Sequence, residues 1–280
     1  MKYELKHEMC LLCGDIHGDT DAFFESVKKC GGFENTDIII LGDIGLGFWY
    51  FDHKDYEYKR YADHKWMMEI EHWCKKNNND VWVFRGNHDD PEIYTEDSKY
   101  WNWFDKIHCL RDGDTVISRN GKKYLVVPGS ISIDRSGNHR ILGMSYWSNE
   151  QISYNKYAEI NDTDFHGIFA HTGPTPPNCI KSDFLKNWEQ KEDKLKEESE
   201  QRKARKAING ENNKGLEFPF ENLLKHEIAK ERGAVDALIL KFKPKYWFNG
   251  HYHEDAQFEH LGCKVFALSI VKFLELDRYE

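Results

Sequence analysis

The stretch LLCGDIHGDT, residues 11–20, decides how this chain reads. Residues 8–14 form an apolar run that suits a buried strand. The run halts at Gly14, and a carboxylate (Asp15) and an imidazole (His17) follow two residues apart. In extended chain, positions i and i+2 share a face, so the two side chains are placed to work together. Asp19 or Thr20 then suits a helix cap, with the helix running to about Cys30 and Gly31-Gly32 supplying its stop.

This unit of strand, glycine and polar pair recurs. DIIILGD (37–43) is a β-branched run without alternation, the pattern of a central strand covered on both faces. A long helix is expected over 55–76, ended by NNND, and VWVFRGNHD (81–89) reads as a third strand. Strands alternating with helices at this spacing predict βαβ units in a parallel sheet. From 107 to 133, short runs separated by Gly and Asp, such as KKYLVVPGS, predict antiparallel or mixed sheet. A helix is expected over 148–159 and a strand at GIFAH (167–171); sheet returns at KYWFNGHYH and CKVFALSI. Residues 181–217 carry ten Lys/Arg and nine Asp/Glu, with Glu192/Lys196 and Glu198/Arg202 at helical i,i+4 spacing, and read as an exposed, charged helical insertion. One domain over 1–280 with that insertion is the simplest organisation.

Composition narrows the function. Apolar residues make up 40 % and charged residues 31 %, a globular balance. No run approaches the ~20 apolar residues that span a bilayer, and MKYELKHEMC lacks the layout of a secretory leader. The seven cysteines are odd in number and scattered, so reduced thiols and a cytoplasmic location are expected, with no membrane partner. A net charge of −9 disfavours extended nucleic-acid binding while leaving room for a local basic pocket. Oligomeric state is not legible.

Five strand ends carry chemistry: CGDIHG (13–18), LGDIG (41–45), RGNHDD (85–90), AHTGP (170–174) and NGHYH (249–253). In an open α/β sheet such ends line one rim, where ligands bind. Asp15, His17, Asp43, Asn87, His171, His251 and His253 are oxygen and nitrogen donors with no cysteine among them. Seven donors exceed what one small ion needs. They suit two divalent ions about 3.5–4 Å apart, bridged by a carboxylate. Mixed carboxylate, amide and imidazole ligation fits Mn, Fe, Zn or Ni better than a thiolate-preferring metal.

These blocks, in this order from residue 10 to about 255, resemble the calcineurin-like metallophosphoesterase superfamily. Its pattern stands here as Gly14-Asp15-Ile16-His17-Gly18, Gly42-Asp43, Gly86-Asn87-His88-Asp89, His171 and Gly250-His251-Tyr252-His253. The resemblance implies a four-layer α/β/β/α sandwich of two mixed sheets flanked by helices. It implies Asp15, His17 and His253 on a first metal, Asn87, His171 and His251 on a second, and Asp43 between them. It further implies hydrolysis of phosphomonoesters or phosphodiesters by a metal-bridging hydroxide, with His88 as general acid near the leaving oxygen. Mn is the first expectation for the two ions, with Fe, Zn, Ni or Mg as alternatives. The substrate would be a phosphorylated small molecule or a nucleotide. The protein-phosphatase branch carries an Asp-Arg-Gly soon after the second block; GDIGLGFWY has neither that Asp nor that Arg. SIDRSGNHRILGMSYWSNE resembles bacterial and phage members instead, and within it Arg135 and Arg140 are candidates for contacting substrate phosphate.

Blander readings exist for each piece. A lone Asp or His at a strand end is usually a turn or cap residue, but five such blocks in order outweigh that. Cys10 and Cys13 form a C-x-x-C that, inside a strand, reads as core thiols rather than a redox pair. GFWYFDHKDYEY and YWNWF read as packing, with a stacking wall for a nucleobase as the lesser reading. A fold-retaining, inactive scaffold or protein-binding module is the alternative function. It would be expected to lack ligands or the acid histidine, and here all eight positions are filled.

Overall fold

The computed structural model describes residues 1–48, 56–132, 142–152, 154–175 and 220–280, with only helical backbone for 56–63 and 220–226. Two sheets lie face to face. The first is built from β2 (Met9–Cys13), β3 (Thr36–Ile40), β4 (Asp80–Val83) and β5 (Ile107–Cys109), all parallel, with β12 (Phe273–Glu275) antiparallel against β2. Their connections include α1 (Thr20–Lys29) and α2 (Tyr56–Asn77), as the alternating pattern predicts. The Asp19 carboxylate caps α1 by accepting from the Ala22 amide at 2.9 Å. Gly31 and Gly32, at φ of 91° and 82°, end it in a conformation that other residues resist.

The second sheet runs in the order β1 (Lys2–Glu4), β6 (Thr115–Ile117), β7 (Lys123–Val127), β8 (Gly167–Ala170), β9 (Tyr246–Asn249), β11 (Cys263–Ala267), β10 (Ala256–His260). It is mixed: β6/β7 and β10/β11 are antiparallel, and the rest are parallel.

Strand periodicity sorts the side chains into three apolar layers. Leu12, Ile39, Trp82 and Phe84 pack between the sheets against Tyr124, Val126, Phe169, Phe248 and Phe266. Ile38 and Ile40 turn the other way, onto Phe23 and Val27 of α1 and Met67, Ile70 and Cys74 of α2. Ile168 and Trp247 face α3 (Tyr154–Ala158) and α4 (Phe220–Phe242), where Val235, Leu238, Ile239 and Phe242 supply an i, i+3, i+4, i+7 stripe. The result is the α/β/β/α sandwich that the resemblance implies. A change such as Phe169→Ala would cost about 3–5 kcal/mol and would loosen the strand that carries His171.

Some local expectations shift. The helix expected over 148–159 is only Tyr154–Ala158, because Glu150 turns inward and accepts the Trp147 amide at 2.9 Å. Strands β1, β10 and β12 escape the pattern reading. They are short or exposed at alternate positions, and all three are sheet edges. Cys10 faces the inter-sheet layer and Cys13 the helix side, so the C-x-x-C thiols lie on opposite faces of β2 and cannot pair. The charged insertion at 181–217 lies outside the described residues, as do Arg135 and Arg140. No helix among the described residues is long and apolar enough to cross a membrane.

Candidate active site

Strands β2, β3, β4, β8 and β9 all end on one rim, and the chemical blocks follow them there. Glycines make the convergence sterically possible. A Cβ on Gly86 would lie 2.0 Å from Asp43 Oδ1, and a Cβ on Gly250 would lie 2.0 Å from Asp15 Oδ1. Any side chain at either position would displace a carboxylate from the centre.

The backbone here is not extended, and this corrects the picture of paired side chains projecting from a straight strand. His17, Asp43, His251 and His253 sit at φ of 54°, 46°, 67° and 54°. Left-handed backbone costs a non-glycine residue on the order of 1 kcal/mol or more and tends to gather where function over-determines the structure. Hydrogen bonds hold these turns. The Ile16 and His17 amides donate to the Asp43 carbonyl at 3.0 and 2.8 Å. The His251 amide donates to both Asp15 oxygens at 3.1 Å, and the His88 amide to Asp43 Oδ1 at 2.7 Å.

The donors form two groups around Asp43. In one, His17 Nε2 lies 2.9 Å from His253 Nε2, 3.7 Å from Asp15 Oδ2 and 3.9 Å from Asp43 Oδ2, with His253 Nε2 3.1 Å from Asp15 Oδ2. In the other, His171 Nε2 lies 2.9 Å from Asn87 Oδ1 and 3.3 Å from Asp43 Oδ1. Ligands about 2.0–2.2 Å from one ion sit roughly 3 Å apart when adjacent, so these separations fit cation binding. Asp15, His17 and His253 bring ligand atoms within 4.8 Å of one another, as do Asp15, Asp43 and His171. His251 joins neither set; its ring centre is 5.0 Å from that of His171, and its Nε2 is 3.1 Å from Ser130 Oγ. Asp15, Asp43, Asn87 and His171 form a buried floor, His17, His88 and His251 are half-buried, and His253 is exposed.

Charge explains the ionisation states. Burial pushes the Asp15 carboxyl up, but hydrogen bonds with His17 and His253 outweigh it and hold it below the usual range. Asp43 likewise resists burial through the charges of His171 and His88 and stays well below. Burial disfavours a charged His171, yet the Asp43 carboxylate raises it to about 10. Burial is overcome at His17 too, which is raised by its bond to Asp15. Burial and the charge on His171 drive His251 down to about 3. In the metal-free chain a proton on His171 offsets the carboxylate charge, and a divalent cation would have to displace it.

His88 is within 4.8 Å of His17 and Asp43 ligand atoms. Phe48 stacks on its ring at 4.3 Å and 8°, and His17 meets it edge-on at 4.8 Å. The aromatic run that reads as packing therefore contributes one ring to the site. Asp89 takes the amides of Gly45, Leu46 and Gly86 at 2.8, 2.9 and 2.7 Å, tying the second block to the third. Burial and the Asp43 charge raise Asp89 to about 6.

Four polar residues stand behind the donors. Ser132 and Glu150 are the first and last residues of the SIDRSGNHRILGMSYWSNE segment, where sequence reasoning singled out only the arginines, and Ser130 and Glu231 carry no motif. Ser130, Ser132, Glu150 and Glu231 link to Asn87 and His251 (below). For Ser130 the sequence offers only a Ser-x-Ser at a strand end, a weak signal. A cavity of about 830 Å³ lies beside this region, lined by Arg85, Arg111, Asp112 and Lys156 among others. Its basic groups are already engaged: Arg85 with Asp112 and the Glu150 carbonyl, Lys156 with Asp112, and Arg111 with the Tyr94 and Thr95 carbonyls.

Two mixed sheets with carboxylate, amide and imidazole donors gathered at one rim define a metal-binding phosphoesterase architecture. The chain belongs to the calcineurin-like phosphoesterases, whose family model matches residues 10–255. Among curated proteins, none matches the sequence. A solved crystal structure aligns over 98% of this chain and 97% of its own, at 13% identity and a TM-score of 0.47. A likeness that distant carries nothing about activity.

Proposed function

We propose that this chain is a dinuclear-metal phosphoesterase acting on phosphorylated small molecules or nucleotides. The observation that carries this is the placement of Asp43. Its two oxygens face two separate donor groups, at 3.3 Å from His171 Nε2 and 3.9 Å from His17 Nε2. Asp15, His17 and His253 would hold one ion and Asn87, His171 and His251 the other, with Asp43 shared; Mn is the first candidate, ahead of Fe, Zn, Ni or Mg. When bound, such a pair supplies Lewis acidity toward phosphoryl oxygens and a water of lowered pKa. His88, at the half-buried mouth, would give its proton to the leaving oxygen. Phe48 restricts that ring by stacking and so fixes where the proton is delivered. Arg135 and Arg140 remain the candidates for contacting phosphate.

One metallophosphoesterase domain over 1–280, with 181–217 as an insertion, is part of the same proposal. So is a cytoplasmic setting, supported by six free cysteines among the described residues, five of them buried. The test is a panel with Mn²⁺: p-nitrophenyl phosphate, its bis ester, cyclic nucleotides, dinucleoside polyphosphates and oligonucleotides. Turnover of a monoester or diester that depends on Asp43 is the expected result. Uptake of two ions with no turnover on any ester would favour the scaffold alternative.

A further inference from the structure

Behind the second donor group runs a short segment, Ser130-Ile131-Ser132, gripped from two sides. Glu231 of α4 accepts the Ser130 hydroxyl at 3.2 Å and the Ile131 amide at 2.9 Å. Glu150 accepts the Ser132 amide at 2.6 Å, the Ser132 hydroxyl at 3.0 Å and the Trp147 amide at 2.9 Å. Both serines are fully buried, as is Glu150. Residues two apart present their hydroxyls to a common side. Ser130 Oγ lies 3.1 Å from His251 Nε2, and Ser132 Oγ accepts from Asn87 Nδ2 at 3.2 Å.

The direction of each bond matters. When ionised, a carboxylate only accepts, so each serine then spends its single proton on its glutamate. Burial raises Glu231 to about 7, so for Ser130 this holds above that pH. Each serine oxygen is then left as an acceptor toward the site. Ser132 can only receive an N–H from Asn87, which turns the Asn87 amide nitrogen away and its oxygen toward His171, 2.9 Å off. Ser130 likewise can only receive an N–H from His251 Nε2, which leaves Nδ1 of that ring with the lone pair.

We infer that Glu150 and Glu231, acting through Ser132 and Ser130, are positioning residues that fix the donor atoms Asn87 and His251 present to a divalent cation. This rests on the metal-site reading above. Carboxylate partners behind ligating residues tune metal affinity, and losing one costs typically 10–100-fold. Among the described residues the first donor group has no such relay to this segment, so the effect should fall on one ion alone. The geometry also makes a substitution of equal shape informative. Glu150 holds at least three donors on two oxygens, and in Glu150→Gln one of them must meet an N–H.

The test is calorimetric titration of the metal-stripped full chain with Mn²⁺, for wild type, Ser130→Ala, Ser132→Ala, Glu150→Gln and Glu231→Gln. Ser132→Thr, which keeps the hydroxyl, is the rescue. The expected result is two binding events in wild type. In each variant one event should weaken about 10–100-fold and the other stay within about twofold, with Ser132→Thr near wild type. The glutamine variants decide the matter if an alanine variant does not fold. Equal weakening of both events would make the segment merely structural and overturn the inference. So would two unchanged events in the variants while wild type takes up two ions. Fewer than two ions in wild type would instead overturn the dinuclear reading itself.

Discussion

The first sheet carries aspartates and histidines at both ends of its strands, and the two ends treat them oppositely. At the far end, Asp80 accepts from His7 at 2.7 Å, His108 at 2.6 Å and Lys106 at 2.9 Å. Asp37 beside it takes the Lys6 and His7 amides at 2.9 and 2.8 Å and the Trp82 indole at 2.8 Å. His7, Asp37 and Asp80 are spaced as a metal could use them. An ammonium already sits among them, however, and the carboxylates have donors enough. At the near rim, Asp15 and Asp43 have no lysine or arginine at hand among the described residues, imidazoles as their main partners, and left-handed backbone around them. Residue type alone does not make a site. A saturated carboxylate is a staple, whereas a carboxylate whose charge is met only by displaceable protons is poised for a cation.

The sharpest way to break this contrast is paired substitution. Asp43→Ala should lower Mn²⁺-dependent turnover on the order of 10³-fold or more, while Asp80→Ala should leave it within about threefold. Steady-state kinetics on one ester checks both. If Asp80→Ala were the more damaging, the assignment of the two ends would be reversed.

His88→Asn should reduce turnover of an alkyl phosphate by about 10²–10⁴-fold. It should harm p-nitrophenyl phosphate much less, since that leaving group scarcely needs a proton, and metal content should not change. Equal losses on both substrates would assign His88 to holding phosphate rather than donating a proton.

Stability should show the converse pattern. Asp80→Ala leaves Lys106, His7 and His108 without their shared acceptor and should cost about 1–3 kcal/mol in urea denaturation of the metal-free chain.

The smallest effect expected is one of pH. His171 is raised in the folded, metal-free chain to about 10 from 6.5. The stability it contributes is therefore complete below pH 6.5 and lost as pH rises toward 10. Asp15 and Asp43 are depressed, so their contribution is present above the ordinary carboxylate value and lost as pH falls through their folded values. Because a cation must displace the His171 proton, the rise in Tm caused by Mn²⁺ should be larger at pH 8.5 than at 6.5. A rise that shrinks with pH would contradict protonation of His171 as the competitor.

What could be read from the sequence follows from how each feature is encoded. The DIII run of β3 is buried on both faces, and a β-branched run without alternation says so directly. The glycines before Asp43, Asn87 and His251 are legible because contact with another block's side chain is a one-residue requirement, and the one before Asp15 because the Ser269 backbone lies where its Cβ would be. Gly42 shows the first case, with the His171 ring where its Cβ would be. The left-handed turns at His17 and His253 are not legible, since neighbouring loops impose them. Nor is Glu231, a common polar residue whose part depends on where α4 passes. Glu150 closes the SIDRSGNHRILGMSYWSNE segment, but what it holds depends on where the 142–152 loop passes. Phe48 looks like core in any sequence window, and only the fold puts His88 against it.

The central claim is that Asp43 joins two cation sites, and metal stoichiometry tests it most directly. Elemental analysis after Mn²⁺ loading and desalting should find about two ions per chain in the wild type and in Asp80→Ala, and one or none in Asp43→Ala. One ion in the wild type, or two in Asp43→Ala, would contradict it.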